Sequence, residues 1–201
     1  MKSSKEPKRI HVKISAKTDW IRKIDIATQT LERNIGFINN CDTKTSIVLA
    51  TVGALLAIIL TNDGLKTILK IVTTCAEGKN FCNILYLSVL FSSVSLLVLG
   101  LCRLTSVLVA KTAPLAKGNS DKKGKSMIFF GGIVNFGDST TYRDKFVAMQ
   151  ESEFLEELVS EIYINAEIAS LKYRRYNQGL KCSVWGFALS VALVAIGYFL
   201  Y

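Results

Sequence analysis

Charge is missing from three stretches of this chain. No Asp, Glu, Lys or Arg occurs from Thr45 to Asn62, from Asn80 to Cys102, or from Cys182 to Tyr201, although 20% of the 201 residues are charged. These runs hold 18, 23 and 20 residues. Coiled as α-helices rising ~1.5 Å per residue they span roughly 27, 34 and 30 Å, against a bilayer hydrocarbon core of ~30 Å. An ordinary soluble globule is excluded, because three fully apolar helices in so short a chain leave too few amphipathic partners to cover them. A free-standing secreted domain is excluded on the same ground. A cleavable signal peptide is excluded too: its apolar core belongs within the first ~15–30 residues, and here mostly polar sequence fills positions 1–44.

Catalytic and metal-binding residues are equally scarce. The chain has one histidine, His11, and its five cysteines include no Cys-x-x-Cys pair, so a zinc site of ordinary composition cannot be assembled. Nothing resembles Gly-x-Ser-x-Gly, and no Walker lysine sits in a glycine-rich phosphate loop. The paired acids Glu156 and Glu157 lie in a charge-rich helical stretch and read as a solvated face. An enzyme is therefore the poorest reading, with no catalytic residue, metal or resident cofactor expected. The three runs also lack the ionisable residue that ion-coupled carriers usually place inside the membrane. Despite the formal net charge of +9, no DNA- or RNA-binding module is present, and anionic lipid head groups are the natural partner.

What is present orients the chain. Residues 1–44 carry ten Lys/Arg against five acids, residues 103–181 twelve against nine, and residues 63–79 only three against two. The positive-inside rule then places the N-terminus and 103–181 in the cytoplasm, and 63–79 outside. Cys41, Cys102 and Cys182 fall on the side where thiols stay reduced, whereas Cys75 and Cys82 flank the outer connector and could pair.

Residues 1–18 read as a basic arm. From Asp19 the apolar positions Ile21, Ile24, Thr28, Leu31, Ile35 and Ile38 recur at helical intervals, which predicts an amphipathic cytoplasmic helix over 19–44. Transmembrane helices follow at 45–62 and 80–102, joined by the external connector 63–79. Pro114 stops the helix that continues past Arg103. The segment 103–181 contains a lysine-rich loop at 117–125, then SMIFFGGIVNFG, with strand-like or buried-turn character. Ser139 or Thr140 caps a short helix there, and a long helix starts near Ser152. The stripe Leu155, Leu158, Val159, Ile162, Ala166, Ala169 and Tyr173 is its expected buried face. The third span is 182–201. The fold class is thus an all-α membrane protein, with three transmembrane helices and a cytoplasmic helical module built from long amphipathic helices. Core packing accounts for both stripes, and a homo-oligomer is a further use for them. Small residues at contact spacing (Ala50, Gly53 and Ala57; Ser92 and Ser93; Ser183, Gly186 and Ser190) let helices approach closely in lipid.

A small anionic ligand needs donors and a flat face. Phe129, Phe130 and the Gly131-Gly132 backbone, with Arg143, Lys172, Tyr173, Arg174 and Arg175, offer both. Core filling competes for the Phe pair and head-group contact for the late basic cluster.

The run CDTKTSIVLATVGALL, the second span with its trailing Arg103-Leu104, Phe129-Phe130-Gly131-Gly132-Ile133 and EIYINAEIASLKYRRYNQGLK follow one another around three spans. In that order they resemble the transmembrane effectors of the bacterial Pycsar anti-phage systems, over about residues 40–201. The resemblance implies a multi-pass protein of the bacterial inner membrane that senses cCMP or cUMP made by a partner cyclase and impairs membrane integrity, halting the infected cell. It matches Asp42 and Lys44 to the family's juxtamembrane pair, Phe129, Phe130 and Gly131 to its Phe-Phe-Gly motif, and Lys172-Tyr173 to its late helix motif. A constitutive membrane scaffold or adaptor, or an effector gated by a cyclic oligonucleotide, is the alternative.

Overall fold

A computed structural model describes residues 6–78, 80–109 and 126–200, with side chains from Asp19 onward. Among the described residues every regular element is helical: α1 Glu6–Ile59, α2 Asn62–Glu77, α3 Phe81–Leu108, α4 Phe130–Val134, α5 Ser139–Ala148 and α6 Glu151–Leu200. Three helices are long and apolar enough to cross a membrane. The lysine-rich loop at 117–125 and the stop at Pro114 lie outside the described residues.

Helix α1 starts earlier than the stripe predicts, at Glu6 rather than Asp19. Pro7 sits in the first turn, where no intrahelical N–H partner is needed, and neither Gly nor Pro follows until Gly36. The Asn39-Asn40 pair does not break it either. The amphipathic and membrane-crossing parts form one continuous helix.

The chain divides into two compact units, Met1–Ile38 with Lys111–Ser170, and Asn39–Ala110 with Leu171–Tyr201. In the first unit, α1 and α6 run in the same direction. Ile24 and Phe154 line one groove, and ten residues further along α1 the Asn34 Nδ2 donates to the Ile162 carbonyl at 3.1 Å. Ala27, Phe136, Leu158 and Ala169 are buried. The expected α6 stripe is corrected in part: Val159 and Ala166 face outward, and half-buried Glu161 and Asn165 take places on the inner face. Counting intervals of three and four from Leu155 admits either neighbour, and packing decides between them.

The second unit is a membrane bundle. Helices α3 and α6 cross antiparallel, with Tyr86 donating to the Leu193 carbonyl at 2.7 Å and the Ser93 and Ser190 hydroxyls 2.9 Å apart. On the cytoplasm-facing half of the expected topology, Arg103 donates to Gln178 at 3.0 Å. Small residues permit this approach. A Cβ on Gly186 would stand 2.5 Å from the Leu97 nitrogen, and one on Gly100 2.5 Å from the Ser183 nitrogen. The small residues of the first span behave differently: Ala50, Gly53 and Ala57 are exposed, and nothing lies within 4 Å of a Cβ built on Gly53. Ile58, Phe91, Trp185 and Phe199 are also exposed, an apolar surface that suits lipid and not water.

The connector after the first span is the amphipathic helix α2. Thr61 caps it, accepting from the Gly64 N–H, and Ile71 and Cys75 are buried. Cys75 and Cys82 are both free thiols.

Candidate functional site

The Phe129-Phe130-Gly131-Gly132 segment belongs to the first unit, and its conformation is built by two side chains. Ser126 Oγ accepts from the Ile128 and Phe129 N–H groups at 3.2 and 3.1 Å. Glu157, from α6, accepts from Ser126 Oγ at 3.0 Å and from the Met127 N–H at 2.8 Å. The Phe129 carbonyl then takes the Gly132 and Ile133 N–H groups and closes the single turn of α4. Of the two readings of this stretch, strand-like or buried turn, the strand-like one is corrected: Ser126 holds a turn that leads into the single helical turn of α4, and local donors are satisfied there instead of across a sheet. Gly132 is a position where only hydrogen fits, since a Cβ there would run into the Ser126 backbone nitrogen.

The two Phe rings pack in a tilted arrangement, centroids 4.6 Å apart and planes at 49°. Phe129 is half-buried against Gly131, while Phe130 is 65% exposed and offers its ring to solvent. Core filling thus accounts for Phe129 and not for Phe130. Below this turn Tyr142 donates to the Met127 carbonyl at 2.9 Å. From it an aromatic series runs along the unit: Phe136 to Tyr142 at 5.5 Å, Tyr142 to Phe146 at 5.9 Å, Phe146 to Phe154 at 6.4 Å. The last two help line an open groove of about 200 Å³ with Ile24 and Met149, rimmed by Gln150 and Glu151. Asp138, one residue before the predicted cap, holds the N-terminus of α5 by accepting from the Thr140 and Thr141 N–H groups at 2.8 Å. The Thr141 hydroxyl and N–H hold its carboxyl below the ordinary carboxylate range.

Arg143 also lies in the first unit, exposed and paired with Asp144 at 3.0 Å. The other expected ligand residues do not. Lys172, Tyr173 and Arg174 belong to the second unit, along with Asp42 and Lys44. Lys172 is taken up by Asp42, its Nζ 2.6 and 2.7 Å from the two carboxylate oxygens. Tyr173 is half-buried; Arg174 and Lys44 are exposed.

Sequence reasoning missed Ser126, Glu157 and Tyr142. The Ser directly before Met-Ile-Phe-Phe was a usable turn signal, and Tyr142 and Phe146 stand four apart. Nothing in the sequence separates Glu157 from Glu156: the first is half-buried and holds the turn, the second is exposed. Glu161, one turn further along α6, is half-buried, and desolvation together with the Glu157 charge raises its carboxyl above the ordinary glutamate range.

A family model, the Pycsar effector protein domain, matches residues 26–200. The chain belongs to the Pycsar effector family. The Pycsar effector protein GmPycTM of Gulbenkiania mobilis is 27% identical over 184 residues, covering 87% of this chain and 92% of that protein. No solved structure matches. The family match starts at Ile26, so it takes in part of the amphipathic helix that the resemblance left outside at 1–38. As a Pycsar effector, the chain carries its family domain through both units, with the α4 turn and the Asp42–Lys172 pair inside the matched range.

Proposed function

We propose that this protein is an effector of bacterial anti-phage defence that sits as a multi-pass protein in the inner membrane with its N-terminus and first unit in the cytoplasm. A partner cyclase supplies cCMP or cUMP, the first unit binds it, and the membrane bundle then compromises the bilayer. The family match over residues 26–200, running through three helices able to cross a membrane, carries this reading.

Within it, Phe130 is the stacking face for the base, Phe129 supports that ring, Gly131 and Gly132 let the backbone come close, and Arg143 is the phosphate donor. Asp42 and Lys172 join α1 to α6 in the second unit. Tyr173 and Arg174, just before the third span, meet lipid head groups or the ligand. Nucleotide changes the membrane only by binding one conformation more tightly than another.

The test is dye release from liposomes of anionic bacterial lipid carrying the full chain, with cCMP, cUMP, cAMP or a cyclic dinucleotide added. Release with cCMP or cUMP alone supports the proposal. Release at the same rate under all conditions favours a constitutive role, and release with the dinucleotide moves the signal to another class.

A further inference from the structure

In the first unit, the outward faces of α1 and α6 carry opposite charge. On α1, Arg22, Ile26, Arg33 and Phe37 fall on one side of the helix, away from buried Ala27. Ile26 is 56% and Phe37 53% exposed. The α1 acids Asp25 and Glu32 fall on a different side, while Asp19 shares this one and pairs there with Arg22 and Lys23. On α6, Glu153, Glu156, Val159 and Tyr163 share the side opposite Leu158, and no Lys or Arg occurs on this helix before Lys172. Val159 is 54% and Tyr163 70% exposed. The α1 face is apolar with a net basic balance, the α6 face acidic and apolar.

The two faces also match in height. Because α1 and α6 are parallel in this unit, with Ile24 and Phe154 lining one groove and Asn34 bonded to Ile162, Arg22 stands near the height of the Glu151–Glu153 turn. Arg33 stands within a turn of the height of Tyr163, so a neighbouring copy's ring can meet its guanidinium. Copies anchored in one bilayer share an axis, so these heights hold between neighbours. The Arg22 contact to Asp19 is a 3.6 Å pair between exposed groups, of the weak surface kind that a neighbour can displace.

We infer that the basic α1 face of one copy docks on the acidic α6 face of the next, head to tail. A heterologous contact of this kind generates rings or open arrays, not closed two-fold dimers. The area is modest: a strip roughly 25 Å long and about 10 Å wide is well below the ~800 Å² a side of a stable soluble complex. Confinement to a bilayer raises effective concentration and makes a small interface sufficient. The inference rests on the membrane part of the proposed function and is independent of which nucleotide is sensed.

The experiment co-expresses two tagged, full-length populations in a background whose native cysteines are replaced by serine, one carrying Ile26→Cys and the other Val159→Cys. Oxidised membranes are expected to give a cross-link between the two tags, and neither population alone should cross-link to itself. Reversing Arg22 and Arg33 to Glu lowers the yield roughly tenfold. Adding Glu153→Arg and Glu156→Arg restores it, which separates loss of contact from loss of fold. A Val159→Cys chain that cross-links to its own kind overturns the head-to-tail contact. Cross-linking indifferent to the reversals, or only to a different protein, overturns self-docking through these faces. Nucleotide-triggered dye release, measured separately, can survive either result.

Discussion

Asp42 and Lys172, 130 residues apart in sequence, meet with both carboxylate oxygens within 2.7 Å of one ammonium. The Lys172 side chain is 15% exposed and Asp42 34%, so the lysine is largely and the aspartate partly withdrawn from water. It fixes α1 against α6 next to Cys41 and Thr45, both fully buried. Removing one partner leaves a poorly solvated charge, and removing both does not. Lys172→Met is expected to lower the stability of the detergent-solubilised chain by about 1–3 kcal/mol. Asp42→Asn should cost a similar amount, and the double variant less than the sum. A double-mutant cycle by thermal or denaturant unfolding measures this; strict additivity would refute the coupling.

Close packing in the bundle predicts a contrast between two glycines of the membrane helices. At Gly186 a methyl group meets the α3 backbone at Leu97, whereas at Gly53 it meets nothing within 4 Å. Gly186→Ala therefore forces α3 and α6 apart, at about 1–3 kcal/mol for an overpacked contact. Gly53→Ala should be neutral or stabilising by up to ~1 kcal/mol through helix propensity. Comparing the unfolding midpoints of the two variants in one detergent checks this, and equal midpoints would argue against the α3–α6 contact.

These cases also show what was legible in the sequence. Charge-free runs and helical periodicity were enough for the all-α architecture and three long apolar helices, because the requirement to satisfy backbone groups in lipid admits few alternatives. Asp42 and Lys172 were visible only as separate motifs; their meeting depends on helix register between segments 130 residues apart. The continuity of α1 was hidden because the amphipathic stripe ends at Ile38 and the charge-free run begins only at Thr45, a change of pattern that requires no break in the helix. Ser92 and Ser93 looked alike, and only one points at α6. Strand and turn stayed open for the stretch before α4 because the acceptor that holds Ser126 and Met127, Glu157, comes from a distant helix.

Glu161 gives a pH dependence. Burial, and then the Glu157 charge, raise its carboxyl in the folded chain above the ordinary glutamate range. The folded state thus binds a proton more readily than the unfolded chain, so stability falls as pH rises from that ordinary range through the raised folded value. Above that value the full penalty is present. Glu161→Gln should raise the unfolding midpoint at pH 7 and flatten its rise on acidification. Glu157→Gln would weaken the Ser126 and Met127 contacts and should lower the midpoint at pH 7. Thermal scans across pH 4.5–8 separate the two, and an unchanged slope in Glu161→Gln would count against this origin.

Phe130 and Gly132 are two residues apart but should fail in different ways. Phe130 presents an exposed ring that packs on Phe129. Phe130→Ala therefore changes unfolding little, within about 0.5 kcal/mol for an exposed position. If that ring stacks on a nucleobase, its loss removes about 1–3 kcal/mol of ligand binding, or roughly a 5- to 150-fold weaker response in dye release. Phe130→Trp keeps a stacking surface and should keep most of the response. Gly132→Ala drives a methyl into the Ser126 nitrogen, displacing the residue that holds the turn leading into α4, so stability and ligand response fall together. The discriminating measurement is the pair of curves, unfolding midpoint and nucleotide titration, recorded on the same protein preparations. A Phe130→Ala chain with full nucleotide response would remove the α4 turn from the ligand site while leaving its structural role through Glu157 untouched.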